Sequence, residues 1–145
     1  MSSQGSVTVR RSTFAGNRAG GAGGAIATQA LQFTDSVASG NRAVYDGGAL
    51  SVGAGQSRVV RSVLADNITE QGRGGAVFGW PVDKLSLVDA QVERNVAEGH
   101  SAGGGGLYVD GVLVLRRTSL LENEAHGVEL EPGLWGGGSG GAIYG

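Results

Sequence analysis

The chain has 145 residues, a net charge of −2 and no cysteine, which is the size of one domain. It excludes disulfides, zinc-thiolate sites and cysteine nucleophiles. No basic run exceeds two residues, so the footprint of a nucleic-acid binder is excluded too. Glycine accounts for 29 residues against 2 prolines, without a strict three-residue period. Collagen is thereby ruled out, and the glycine belongs to a repeating structure. The stretch from Met1 to Val7 has neither a basic nor an apolar signal-peptide region. Nothing approaches the roughly 18 consecutive apolar residues of a membrane-spanning helix.

Two signals recur along the chain. Asparagines stand at Asn17, Asn41, Asn67, Asn95 and Asn123, spaced 24, 26, 28 and 28 residues apart. Each precedes a Gly-Gly-Ala-aliphatic run, at 23–26, 47–50, 74–77 and 140–143, with Gly104-Gly105-Gly106-Leu107 as an altered copy. A period in the twenties marks a solenoid, whose repeats bury apolar surface by stacking on their neighbours.

The predicted elements follow the same order in every repeat. Ten residues before the asparagine stand Val7, Leu31, Ser57, Leu85 and Leu113; eight before stand Val9, Phe33, Val59, Leu87 and Leu115. That period of two predicts a strand with one buried face. The small residues Ser12, Ser36, Ser62, Ala90 and Thr118 follow, then apolar Phe14, Ala38, Leu64, Val92 and Leu120. The break in alternation predicts a bend between two short strands. After the asparagine comes a small column, Ala19, Ala43, Thr69, Ala97 and Ala125, at a tight corner. A third strand then starts at each Gly-Gly signal, with Ile26 and Thr28, Leu50 and Val52, Val77 and Gly79, Leu107 and Val109, and Ile143 and Gly145 as inward pairs.

Stacking gives the recurrent residues their physical reasons. Like residues on successive rungs lie about 4.8 Å apart. A corner asparagine can therefore donate its amide to the next rung, forming a ladder, and it tolerates a left-handed corner. The glycines allow positive φ and close backbone approach.

Three columns carry candidate chemistry. Six residues before each asparagine stand Arg11, Asp35, Arg61, Asp89 and Arg117. The alternating signs predict an exposed ladder with each Asp between two Arg. Three residues after it stand Gly20, Val44, Glu70, Glu98 and His126. Glu70, Glu98 and His126 are the weak catalytic candidates, since paired carboxylates serve glycoside hydrolysis or hold a divalent cation. The bland alternative is solvated loop charge. Outward on the Gly-Gly strand lie Ala27, Ser51, Phe78, Tyr108 and Tyr144. This aromatic stripe either binds sugar rings or a partner, or stacks on itself beneath the insertions. Trp135, in the long insertion after Asn123, joins Phe78, Tyr108 and Tyr144 as a binding candidate. Trp80, beside Pro81, reads as a connection aromatic, either an adhesive anchor or folded over the coil end. No phosphate loop and no nucleophile elbow occurs, and no metal or cofactor is implied.

The repeated Gly-Gly-Ala-Ile and Phe-x-x-Asn tetrapeptides resemble the repeats of chlamydial polymorphic outer-membrane proteins. The first is complete at 23–26, 47–50, 74–77 and 140–143; the second is literal at Phe14-Ala15-Gly16-Asn17. Ala38, Leu64, Val92 and Leu120 replace the aromatic in the other repeats. The resemblance runs from Val7 onward and implies a right-handed parallel β-helix on a secreted or cell-surface passenger of autotransporter type, often an adhesin. The general handedness of parallel crossovers agrees.

The expectation is an all-β, single-stranded, right-handed parallel β-helix of about five coils: 7–30, 31–56, 57–84, 85–112 and 113–145. It forms one domain over 1–145, a fragment of a longer array whose uncapped ends invite self-association. The functional expectation is a non-enzymatic scaffold that binds a host or neighbouring-cell protein or glycan. The alternative is a polysaccharide lyase or glycoside hydrolase on the same fold.

Overall fold

The computed structural model describes residues 5–127, 129–131, 134–135 and 139–145. The first coil holds β1 (Ser6–Arg10), β2 (Thr13–Ala15), β3 (Arg18–Ala19) and β4 (Ile26–Thr28). The second holds β5 (Ala30–Thr34), β6 (Val37–Ser39), β7 (Arg42–Ala43) and β8 (Leu50–Val52). In the third come β9 (Gln56–Val60), β10 (Val63–Ala65) and β11 (Ile68–Thr69), followed by β12 (Val77–Val88). The fourth adds β13 (Gln91–Glu93), β14 (Val96–Glu98) and β15 (Leu107–Arg116). Last are β16 (Ser119–Leu121), β17 (Glu124–His126), the antiparallel pair β18 (Glu129–Glu131) and β19 (Leu134–Trp135), and β20 (Ile143–Tyr144).

These strands stack as three parallel sheets. One runs β1-β5-β9-β12-β15-β20, with β4 and β8 joined to it through β12. The second runs β16-β13-β10-β6-β2 and the third β17-β14-β11-β7-β3. The chain is an all-β parallel β-solenoid of about 4 turns, and no helix occurs among the described residues. Against the expectation of about five coils, the second and third sheets each hold five strands, and together they wind about 4 turns.

Two details depart from the sequence reading. The two residues after each asparagine form a sheet of their own, in place of a bare corner. The Gly-Gly strand and the first strand of the next repeat share one sheet, and in β12 and β15 they fuse into a single strand. Residues with positive φ or irregular register mark the joins, at Gly55 and Gly111 and at the shifts between Gly79 and Lys84.

The core is a set of stacked columns. Leu31 and Leu85, and Phe33, Val59 and Leu87, point inward from the first sheet; Leu64 and Val92 from the second. Ile26, Leu50, Val77 and Leu107 close the interior from the Gly-Gly strands. Phe33 has no exposed surface and its ring lies 6.2 Å from that of Phe14. Where the leucine column carries Ser57, its Oγ accepts the N–H of Leu31 at 3.0 Å, so the polar exception is satisfied inside the core. Buried Ser36 and Ser62 repeat that device at the bend, accepting the N–H groups of Ser12 and Ser36, both at 3.1 Å.

The asparagines form a continuous chain. Each Nδ2 donates to the Oδ1 of the next: Asn17 to Asn41 at 2.8 Å, Asn41 to Asn67 at 2.9 Å, Asn67 to Asn95 at 2.8 Å and Asn95 to Asn123 at 2.9 Å. The same Oδ1 atoms accept the backbone N–H of the preceding asparagine at 3.0–3.1 Å. The second Nδ2 hydrogen goes back to a carbonyl of the preceding rung: Phe14 for Asn41, Ala38 for Asn67, Leu64 for Asn95 and Val92 for Asn123. Every polar atom of a buried amide side chain is thereby used.

The left-handed corner is not at the asparagine, as the sequence reading placed it, but one residue earlier. Gly16, Gly40, Asp66, Arg94 and Glu122 have φ between 51° and 63°. The glycine pairs divide the labour. Gly23, Gly47, Gly74, Gly104 and Gly140 take positive φ. A Cβ on the second glycine of the third coil, Gly75, would collide with the Gly105 carbonyl and the backbone of Val96. Only glycine lets those rungs approach.

Asn67→Ala should strand the amide hydrogens of Asn41 and the carbonyl of Ala38 inside the coil. The expected loss is about 2–5 kcal/mol, against about 1 kcal/mol or less for Asn17→Ala at the exposed first rung. Urea unfolding of the two variants checks this; equal, small losses would contradict it.

Candidate functional site

The column six residues before the asparagine sits on the other left-handed corner, with φ of 45–53° at Arg11, Asp35, Arg61, Asp89 and Arg117. The backbone N–H groups of Arg11, Asp35, Arg61 and Asp89 are held by the following rung, as in Asp35 N–H to the Val60 carbonyl at 3.0 Å. The side chains pair in twos, not as a continuous ladder. Arg61 grips Asp35 through Nε at 2.6 Å and Nη2 at 2.8 Å. Arg117 grips Asp89 in the same forked way, at 2.5 and 2.8 Å. Arg11 acts on Asp35, and Arg61 on Asp89, through longer-range charge alone. A guanidinium fork can satisfy one carboxylate fully, so it settles on one neighbour. The hydrogen bonds from Arg61 and Arg117 hold the carboxyls of Asp35 and Asp89 below the ordinary 3.8.

A parallel ion pair escaped the sequence reading. Arg94 donates to Asp66 at 2.8 and 3.2 Å across rungs and also meets Glu93 at 2.9 Å. The signal was present as Asp66, Arg94 and Glu122, each directly before an asparagine.

The column three residues after the asparagine is not brought together as one carboxylate site. Glu70 is engaged by Arg42 at 2.5 Å and approached by Arg18 at 3.9 Å. Glu98 is the strand partner of His126, but the imidazole Nε2 bonds Glu124 on its own strand at 2.7 Å. Among the described residues no group of three or more His, Asp or Glu is arranged to hold a metal ion.

The aromatic stripe is stacked. Ring centroids of Phe78 and Tyr108 lie 5.4 Å apart at 23°, and those of Tyr108 and Tyr144 lie 5.1 Å apart at 12°. Arg73 covers the first two, its guanidinium 4.8 Å from both centroids. Asp46 fixes that guanidinium through Nε and Nη2, both at 3.2 Å, and these bonds raise its pKa. Phe78 is consequently buried, and Tyr144, 45% exposed, is the open end of the stack. A shallow cavity of about 200 Å³ adjoins it, lined by Arg73, His100, Ser101, Tyr108, Ser139 and Tyr144. Trp80 lies within β12 and is 54% exposed, neither in a connection nor folded over the coil end. The side chain of Trp135 lies outside the described residues.

Because folding lowers the pKa of Asp35 and Asp89, their contribution is complete above the ordinary 3.8 and is lost as the pH falls through the folded values. The Asp35→Asn/Asp89→Asn variant should therefore unfold at lower urea than the parent at neutral pH. The two midpoints should converge well below pH 3.8. A gap that persists unchanged in acid would contradict the pairing.

Residues 11–29 match the Chlamydia polymorphic membrane protein (Chlamydia_PMP) repeat. The match runs from the first left-handed corner through Phe14, Asn17 and the Gly-Gly-Ala-Ile run. No curated protein matches the chain, and no solved structure does. The matched unit is one turn of a stack whose ladder and glycine geometry recur on every rung.

Proposed function

We propose that this chain is a non-enzymatic β-helix module of a secreted or cell-surface protein of autotransporter-passenger type, adhesin-like in presenting outward side chains to a host or neighbouring-cell partner. The observation that carries the reading is the repeat match at 11–29, because polymorphic membrane proteins are autotransporter surface proteins. A stack of laddered rungs suits that setting, since hydrogen bonds between rungs hold a chain that has no cysteine for disulfides.

The distribution of charge supports a scaffold over a catalyst. Asp35, Asp46, Asp66, Glu70 and Asp89 are each tied to an arginine. Catalysis of glycoside cleavage needs two carboxyls free to exchange protons across one bond. The open end of the aromatic stack at Tyr144 and the exposed Trp80 are suited to contact a partner.

Antibodies against this chain should label intact, unpermeabilised cells of the source organism. Labelling that appears only after permeabilisation would overturn surface display. Incubated with polysaccharides, the protein should release no reducing or unsaturated ends. Release abolished by Glu70→Gln or Glu98→Gln would replace the scaffold reading with a carbohydrate-active enzyme.

A further inference from the structure

The first sheet carries a feature that none of the repeat columns announced. On its outer face, between the inward residues Ser57, Leu85 and Leu113 and the next inward set Val59, Leu87 and Leu115, the side chains point to solvent. Strand pairing aligns Gln56 with Lys84, Gln32 with Arg58 and Ser86, and Val60 with Val88 and Arg116. Apart from Val60, which is buried, these residues line a groove of about 550 Å³ across β5, β9, β12 and β15. Arg58, Lys84 and Arg116 are exposed and stand on three successive rungs, each one column over from another.

Among the described residues none of these three cations takes part in an ion pair, whereas Arg42, Arg61, Arg73, Arg94 and Arg117 all do. No aspartate or glutamate lines the groove. Arg117 stands at its rim but is already committed to Asp89. The chain as a whole is slightly acidic, with a net charge of −2, yet here positive charge is concentrated in a concave strip without a counter-charge. Such strips focus the field on an incoming anion.

We propose that this groove binds a linear acidic glycan, carrying carboxylate or sulfate groups, laid across the rungs. Rungs follow one another at about 4.8 Å, so Arg58, Lys84 and Arg116 meet negative charges distributed along a chain better than one compact anion. The guanidinium forks suit carboxylate and sulfate oxygens. Gln32, Gln56 and Ser86 add neutral donors and acceptors matched to sugar hydroxyls. A single-stranded nucleic acid fits less well, because no aromatic side chain lines the groove for bases to stack on. The inference rests on the binding role proposed above and names its ligand class, but it needs neither export nor surface display to hold.

The test uses the whole chain and three probes in a surface-based binding assay at low and moderate salt: heparin, polygalacturonate and neutral dextran. Single-stranded DNA serves as a charge control. Heparin or polygalacturonate should bind, more weakly as salt rises, while dextran should not. Arg58→Ser and Arg116→Ser should each weaken binding about tenfold with the thermal midpoint unchanged. Arg10→Ser removes the same charge from an exposed position of the same sheet outside the groove, and should leave affinity within about twofold. Failure of both acidic glycans to bind at low salt would overturn the proposal, whatever the cell-labelling result. So would an equal loss in Arg10→Ser, or DNA binding as tight as that of the glycans.

Discussion

The buried asparagine column is the constraint on which the other parts of the coil depend. A turn that carries the chain from the second sheet to the third must leave backbone donors and carbonyls facing inward, where water cannot reach them. Asn41, Asn67 and Asn95 answer this with one side chain per rung that both donates twice and accepts twice. Because each Oδ1 accepts from the rung before while the second Nδ2 hydrogen reaches back to a carbonyl of that rung, the bonds bind turns together and not merely one turn to itself. The close approach of Gly24, Gly48 and Gly75 to the residues that follow Asn41, Asn67 and Asn95 depends on the same rung spacing. So does the strand register that brings Arg58, Lys84 and Arg116 to one face.

The ladder also offsets strain. Eight non-glycine residues among those described have positive φ, and all are arginine, aspartate or glutamate. Each such conformation costs about 1–2 kcal/mol for an L-residue. They occur in two columns that flank the second sheet, and cross-rung backbone bonds hold Arg11, Asp35, Arg61, Asp66, Asp89 and Arg94 there. Charge suits these corners because a left-handed backbone swings the side chain outward, and the neighbouring rung supplies the opposite sign. The ion pairs are exposed and contribute little to stability. Their clearer effect is on register, since slipping one rung by a residue would separate Asp35 from Arg61 and Asp66 from Arg94.

The stacked columns were legible because stacking repeats a residue type wherever one position has one physical task. Asparagine, the paired glycines and the apolar positions all declared themselves by spacing, and the parallel solenoid followed. What escaped depended on the exact placement of the corner. The sequence reading put the left-handed residue at the asparagine itself, where Asn is a familiar occupant of that conformation. The coil instead uses the preceding residue, and Asp66 and Arg94 passed unnoticed as a second charge column. The groove was illegible for a related reason. Its residues vary from coil to coil (Gln32, Arg58, Ser86 and Val114 share one column), so no repeat marks them. Only strand pairing shows that Lys84, Arg58 and Arg116 face the same way. The aromatic stripe was visible as a column, but its closure by Arg73 required a contact between residues of different repeats.

The central claim is that turns are locked to one another through buried asparagine amides. Native-state hydrogen exchange, read by NMR at the backbone and Nδ2 protons of Asn17, Asn41, Asn67, Asn95 and Asn123, tests it most directly. Asn41, Asn67 and Asn95 should exchange only through global unfolding, as the slowest group in the chain, with exposed Asn17 far faster. If the three interior asparagines exchange as readily as Asn17, the ladder is not what holds the coils together.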